Sequence, residues 1–307
     1  MKNAQIEFWR FVFAINMVVY HVLGHIFGIK TGGYIGVEFF AILSGYFLAL
    51  SHAKSDKAII PFIRKRFFSL WPMYLAAYFI SIVLHGIQTN MTGAEIVYQV
   101  YRSFPEMFML KIHTSINGVA WFMTAMLISG ILLWICLTID PERKWISGFL
   151  LICALFIYSA FLQTHGNIHY TKSRSITSIY YDGFWRVFAD MAIGVFGFSW
   201  VQNEKCILKD KTYQIVLCVI GNLGFAIVFL VSLFKNWGFS DFWYIFIIWC
   251  ALVCLMIPDK IVTNENRIAK IVCYLGGLTY PIYLLHEAVY ETFNILGSSY
   301  PPPLAAL

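Results

Sequence analysis

Two ionisable residues, Arg10 and His21, lie within the first apolar stretch of the chain, IEFWRFVFAINMVVYHVLGHIFG. Eleven helical steps of about 100° bring their side chains to within about 20° of one face, about 16 Å apart along the axis. Near pH 7 an imidazole is mostly neutral and can act as a base, and a guanidinium can hold an anion or polarise a carbonyl. The pair could therefore serve one reaction. Alternatively, Arg10 reaches the lipid headgroups beside Glu7, and His21 makes only a polar packing contact.

The composition of the whole chain indicates the environment in which this pair lies. Of its 307 residues, 60% are hydrophobic and only 12% are charged, and the mean hydropathy is +0.70. These values are typical of a polytopic membrane protein, and we expect no nucleic-acid partner. Nearly all of the seven cysteines fall in apolar runs, so we expect buried thiols rather than disulfides or a metal site.

Nine segments contain enough apolar residues to cross a hydrocarbon core, which takes about 20 residues. The sequence therefore predicts an all-α polytopic membrane helix bundle of about nine to ten transmembrane helices, in a single domain over residues 1–307. The connection 87–117 holds the amphipathic stretch VYQVYRSFPEMFMLKI, which could be an interfacial or a re-entrant piece. The predicted spans are 8–27, 33–51, 67–86, 118–138, 145–162, 184–201, 213–234, 240–257 and 271–296.

The positions of lysine and arginine predict the orientation of the bundle. Most of them fall in the connections on the same side as the N-terminus, including those near residues 54–66, 205–211 and 260–270. Because cytoplasmic connections carry an excess of these cations, we expect a cytoplasmic N-terminus. We expect the protein in the inner or plasma membrane of the cell, in contact with membrane lipids.

Further candidates lie in the second and third spans. Ser44 and Gly45 remove side-chain bulk from a helix, which lets another helix or a ligand approach closely. Arg64, Lys65 and Arg66 directly precede the third span. This basic cluster could enforce topology and contact anionic lipid, or it could hold the phosphates of a cytoplasmic ligand.

Two more pairs have helical spacing. Tyr283 and His286 are three residues apart, so they share a face and could line one cavity, or they could anchor a helix end at the membrane interface. Arg186 and Asp190 are four apart in the sixth span, where we expect them to form an intramembrane ion pair that fixes packing.

Taken in order, these motifs resemble the membrane acyltransferase 3 family. The family pattern has an Arg, ten residues and a His; then a motif with G-V, F-F and S-G in that order; a basic cluster leading to P-x-Y; a Trp-bearing helix; and S-Y-x-x-Y-L-x-H. The resemblance runs from residue 6 to about 290. The matching residues are Arg10 and His21; Gly36, Val37, Phe39, Phe40, Ser44 and Gly45; Arg66, Pro72 and Tyr74; Trp121 and Phe122; and Tyr280, Tyr283 and His286.

This resemblance implies an integral membrane O-acyltransferase. Such an enzyme moves an acyl group, most often acetyl, from cytoplasmic acyl-CoA to a hydroxyl of a cell-surface carbohydrate or a lipid-linked glycan. The resemblance also implies that His21 is the catalytic histidine and Arg10 its partner. Acyl-CoA, with acetyl-CoA as the default, is then the co-substrate, and no metal is expected.

The chemistry of acyl transfer suggests roles for the other candidates. We expect His21 to deprotonate the acceptor hydroxyl, with a covalent acyl-histidine as the competing scheme. Arg10 would position the pantetheine arm or polarise the thioester. The residues expected to bind acyl-CoA are Arg64, Lys65, Arg66, Ser44 and Gly45, and those expected to line the cavity are Tyr283, His286 and Trp121.

The sequence also departs from the family pattern. Ser69 and Met126 stand where many members carry an Arg and a Glu, and nine spans are counted where ten are common. The main alternative function is a transporter or flippase of a polysaccharide or lipid-linked glycan, because buried charges on several helices also describe a substrate pathway. A transporter would be expected to show an internal repeat, and none is visible.

Overall fold

The helices of the protein follow the apolar segments of its sequence. The computed structural model describes residues 3–55, 58–111, 116–142, 145–169, 174, 176, 181–205, 210–234, 238, 240–258 and 267–297. Within these ranges the regular structure is α-helical apart from one 3-10 turn at Gly33–Ile35, and the all-α prediction is confirmed. The helices are α1 (Ala4–Phe27), α2 (Gly36–Lys54), α3 (Ile59–Gln88), α4 (Gly93–Arg102), α5 (Phe104–Met107), α6 (Trp121–Ile139), α7 (Ile146–His165), α8 (Asp182–Lys205), α9 (Lys211–Phe234), α10 (Asp241–Met256), α11 (Arg267–Gly277) and α12 (Thr279–Gly297).

Seven helical segments are long and apolar enough to cross a membrane, so this is a multi-pass membrane protein. They are α1, Gly33–Lys54 (which contains α2), α3, α6, α7, α8 and α9. α11 and α12 pass the same test as a pair bent by 50°. α10 has 16 residues and is about 24 Å long, less than the hydrocarbon core of about 30 Å. Each of the nine predicted spans thus has a helical counterpart, but the described residues give seven spans, or eight with the bent pair.

The bend between α11 and α12 has a local cause. α11 ends in a Gly-Gly pair, and the Thr279 hydroxyl donates a hydrogen bond to the carbonyl of Gly276. Pro281 lies in the first turn of α12, where its missing N–H loses no helical bond. Gly276 also lies so close to Glu7 of α1 that a side chain there would clash. The bend therefore brings both halves of the pair against α1.

The ends of α1 are fixed by side chains and a glycine. Asn3 caps the helix by accepting hydrogen bonds from the backbone N–H groups of Gln5 and Ile6. Its amide nitrogen also donates to the carbonyl of Leu255 at 3.1 Å, which attaches the start of α1 to the end of α10. The helix stops at Gly28, whose φ of 68° is a conformation that glycine adopts without strain. These contacts fix where α1 begins and where it ends.

α2 and α8 pack with their backbones in contact. A Cβ at Gly45 of α2 would overlap the carbonyl of Met191, and a Cβ at Gly194 of α8 would overlap the carbonyl of Ile42. Small residues allow this close approach in a membrane bundle, where packing rather than apolar burial drives helix association. The glycine-containing motif of α2 therefore joins it to α8.

A buried ion pair lies between the same two helices. Arg186 on α8 donates from its guanidinium to the Glu38 carboxylate on α2, and the two residues are 1% and 0% exposed. The predicted pairing of Arg186 with Asp190 is wrong: Asp190 instead accepts a hydrogen bond from the Tyr158 hydroxyl on α7. Arg186 pairs with a residue on another helix rather than with the residue one turn away, because the buried face of α8 points at α2.

The connection 87–117 contains α4 and α5. α4 begins with a reciprocal capping box between Thr92 and Glu95 and has only ten residues, too few to cross a membrane. Its apolar side chains Val97, Tyr98 and Tyr101 are exposed. These features are those of a helix that lies along the membrane interface, the first of the two predicted alternatives.

Candidate active site

A cavity of about 370 Å³ opens between five of the spanning helices and the start of α12. Five of the residues predicted for the site line it together. Arg10 comes from α1, Ser44 from α2, Lys65 and Arg66 from α3, and Tyr283 from α12. We call it the basic cavity, because these three cations are its only charged residues among the described lining side chains.

Of the three cations of the basic cavity, Arg10 has a carboxylate partner, and Lys65 and Arg66 form no ion pair with any described carboxylate. Arg10 Nη1 lies 2.8 and 3.0 Å from the carboxylate oxygens of Glu7, one turn earlier on α1. Arg66 Nη2 lies 3.8 Å from the Met126 sulfur and forms no ion pair with any described carboxylate. The Ser44 hydroxyl donates to the same sulfur at 3.2 Å. With a thioether where an acid would neutralise Arg66, the cavity keeps a net positive charge that favours an anionic ligand.

The rest of the cavity wall is apolar and aromatic. Its largest side chains come from α2, α3 and α6, so a ligand must be narrow and partly apolar where it passes them. Phe122 also contacts Tyr283 edge to face, with ring centroids 5.6 Å apart. The apolar lining residues are Phe40, Leu43, Phe47, Leu48, Phe62, Leu70, Phe122, Met123, Met126, Leu127 and Met191.

The basic cluster of α3 divides between two surfaces. Lys65 lines the basic cavity and also an open groove of about 590 Å³. Arg64 lines the groove, beside Ile60, Pro61 and Phe68, and does not line the basic cavity. Lys65 therefore connects the exposed groove to the enclosed cavity, and the cluster can contact one elongated ligand in both places.

His21 lies in a cluster of imidazole rings that we call the histidine cluster, formed by His21, His25 and His286. The His21 ring centroid is 4.7 Å from that of His286 and 5.7 Å from that of His25, which lies parallel to it. His25 in turn stacks on Tyr290 at 4.6 Å. The described residues contain no group of His, Cys, Asp or Glu arranged to hold a metal ion. His21 therefore sits among rings, and its neighbours are candidates to orient it.

Tyr283 connects the histidine cluster to the basic cavity. Its side chain lines the cavity, and its hydroxyl donates to the carbonyl of Val119 at 2.6 Å. Its own carbonyl lies 2.5 Å from Nδ1 of His286, one turn later. His286 itself is 4% exposed and touches His21. Within one turn, α12 thus places Tyr283 in the cavity wall and His286 beside the His21 ring.

Several polar residues near His21 were not predicted. The Tyr20 hydroxyl lies 3.4 Å from Nε2 of His169, and the His169 ring packs edge-on against Tyr34 at 4.4 Å. His169 belongs to the connection between α7 and α8, where burial, with Arg186 nearby, lowers the pKa of its ring to about 3. The ring therefore stays neutral near pH 7 and adds no positive charge beside His21. Only a folded structure could bring this connection to α1.

Five predicted site residues are not among the described residues that line the basic cavity: His21, which lies in the histidine cluster, and four others. Gly45 faces α8 and Arg64 faces the groove. Trp121 is buried at the start of α6, where its neighbour Phe122 contributes to the wall instead. His286 lies behind Tyr283, in the histidine cluster. Trp121 and His286 are therefore not among the described wall residues, and the assignment of Gly45 to the donor path stays a prediction.

These features define an integral membrane protein with a cation-lined intramembrane cavity beside a histidine cluster. The chain belongs to the acyltransferase domain family, acyltransferase 3, whose family model matches residues 3–307, and it is a membrane acyltransferase. The resemblance inferred from the sequence motifs is thereby confirmed. No match was found among curated proteins or among solved structures.

Proposed function

We propose that this protein is an O-acyltransferase that moves an acetyl group from acetyl-CoA to a hydroxyl of a cell-surface carbohydrate or lipid-linked glycan. The observation that carries the proposal is the net positive charge of the basic cavity, where Lys65 and Arg66 form no ion pair with any described carboxylate. A coenzyme A thioester is an anionic, elongated molecule with a narrow arm, and the cavity offers cations at its wall and an apolar passage beyond them.

The basic cluster of α3 lines both the groove and the basic cavity, and this supports a specific placement of the donor. The nucleotide phosphates would lie against Arg64 and Lys65 in the groove, because guanidinium and ammonium groups bind phosphate oxygens by charge-assisted hydrogen bonds. The pantetheine arm would follow Lys65 and Arg66 into the basic cavity and pass Ser44 and the aromatic wall. Arg10 would then hold the arm or polarise the thioester carbonyl.

His21 would act at the far end of this path. As the acceptor oxygen forms a bond to the acyl carbon, the hydroxyl proton moves to the unprotonated nitrogen of His21. The carbon–sulfur bond then breaks, and the departing thiolate takes the proton from His21, so that CoA leaves as the thiol. This balance needs no metal and no external proton. A covalent acyl-histidine intermediate is the alternative scheme.

The proposal predicts that His21→Ala abolishes acetyl transfer while acetyl-CoA still binds. A general base contributes about 10²- to 10⁴-fold to a rate, so the loss is the largest that a single side chain should produce here. The measurement is transfer of radiolabelled acetyl from acetyl-CoA to cell-envelope carbohydrate by the purified protein in nanodiscs. Binding of acetyl-CoA is followed separately by equilibrium dialysis.

A matched control is His85→Ala, which removes a histidine from the last turn of α3 and should keep the wild-type rate. Wild-type protein that neither binds acetyl-CoA nor labels any carbohydrate would refute the proposed donor. Labelled carbohydrate from His21→Ala at the wild-type rate would refute the proposed base.

A further inference from the structure

The two ring nitrogens of His286 have different surroundings. Its Nδ1 lies 2.5 Å from the Tyr283 carbonyl, and a carbonyl oxygen can only accept, so Nδ1 carries the ring proton. In the neutral ring, Nε2 then holds a lone pair. That nitrogen is buried and has no hydrogen-bond partner among the described residues.

The position of this lone pair points to His21. The two ring centroids are 4.7 Å apart and the ring planes are inclined by 44°. Two imidazoles joined by an N–H···N bond have centroids about 5 Å apart, given a donor–acceptor distance of about 2.9 Å. The observed ring separation is therefore compatible with such a bond while His286 keeps its contact with the Tyr283 carbonyl. A buried acceptor without a donor is otherwise costly, which favours a function for it.

We propose that His286 is a positioning residue for His21 in the reaction put forward above. Its Nε2 accepts a hydrogen bond from the N–H of His21, which leaves the opposite nitrogen of His21 unprotonated as the base. When His21 takes the acceptor proton, the same contact stabilises the imidazolium. The Tyr283 carbonyl fixes the tautomer of His286, as a third group orients the base in other catalytic assemblies.

This inference rests on the proposed function, and its first test is kinetic. The assay follows CoA thiol released from acetyl-CoA by the nanodisc protein, with methyl glucoside as the probe acceptor. His286→Ala should lower kcat about 10- to 100-fold, the usual effect of removing the partner that orients a functional imidazole, and leave the KM for acetyl-CoA unchanged. His286→Gln offers an amide oxygen as acceptor and should recover part of kcat.

The matched control is His85→Gln, because His85 lies in the last turn of α3 and outside the histidine cluster. It should keep the wild-type kcat. Wild-type kcat in His286→Ala would overturn the inference, as would a rise in KM alone or equal rates for the Ala and Gln variants. A merely structural role for His286 would not give the recovery by glutamine.

A second measurement separates this inference from the proposed function. Ring-¹⁵N histidine labelling reports the tautomer of His21 without any turnover, with its signal assigned from the His21→Ala variant. The wild type should show a single His21 tautomer, and His286→Ala a mixture of both. Identical His21 signals in the two proteins would overturn the contact. Wild-type protein with the single tautomer but no turnover of acetyl-CoA would instead overturn the proposed function alone.

Discussion

Two arginines of this bundle have opposite surroundings. Arg186 is fully buried and paired with the Glu38 carboxylate of a neighbouring helix. Arg66 lines the basic cavity, and its guanidinium lies 3.8 Å from the Met126 sulfur without an ion pair to any described carboxylate. Both are costly in a membrane, where a charge normally needs a partner. The fold supplies that partner for Arg186, whereas Arg66 has no carboxylate partner among the described residues.

The same contrast separates the two sides of α2. The side that faces α8 carries Glu38 and Gly45, and it is closed by an ion pair and by backbone contact. The side that carries Ser44 opens on the cavity. Neighbouring residues of one motif thus have different surroundings: Gly45 packs against α8, and Ser44 faces the space that a donor would enter.

The largest expected effect comes from breaking the Arg186 pair. Arg186→Met leaves the Glu38 carboxylate buried without its cation, which should lower the free energy of unfolding by about 3–5 kcal/mol. The measurement is unfolding in detergent by titration with sodium dodecyl sulfate. The double variant Arg186→Met with Glu38→Met removes both charges and should recover most of the loss. An Arg186→Met variant as stable as wild type would show that the pair contributes nothing to the fold.

A smaller effect, and of a different kind, is expected at Arg66. Arg66→Ala should weaken acetyl-CoA binding about 10- to 100-fold, the equivalent of one charge-assisted hydrogen bond, with no loss of stability. The measurement is the Kd of acetyl-CoA in nanodiscs. Arg102→Ala, at an exposed position in the last turn of α4, is the control and should bind normally. Unchanged binding in Arg66→Ala, or a loss of stability like that of Arg186→Met, would remove the contrast between the two arginines.

The sequence was sufficient for most of the architecture. Long apolar segments predict membrane helices reliably because the bilayer leaves the backbone few alternatives, and each predicted span has its helix. The bend at Thr279 was missed because a Gly-Gly pair followed by Pro281 interrupts the helix without interrupting the apolar pattern. The class of fold was right, and the predicted span 240–257 corresponds to α10, which has only 16 residues.

The site was predictable only where residues share a helix or a motif. Arg10, Ser44 and Arg66 belong to ordered motifs, and they meet at one cavity. The contacts between helices could not be read from spacing: a partner four residues away was assigned to Arg186, and the actual partner is Glu38, 148 residues earlier. The connection that carries His169 could not be placed beside Tyr20 for the same reason.

The smallest of the expected effects tests whether Gly45 belongs to the fold or to the donor path. In Gly45→Ala the added methyl would overlap the backbone carbonyl of Met191, which cannot move without shifting α8. Such overpacking typically costs about 1–3 kcal/mol, so unfolding should need less sodium dodecyl sulfate while the Kd of acetyl-CoA stays unchanged. Gly148→Ala on α7, where a Cβ meets open space, is the matched control and should keep wild-type stability. If Gly45→Ala weakened acetyl-CoA binding at full stability, Gly45 would belong to the donor path, and both faces of α2 would serve the ligand.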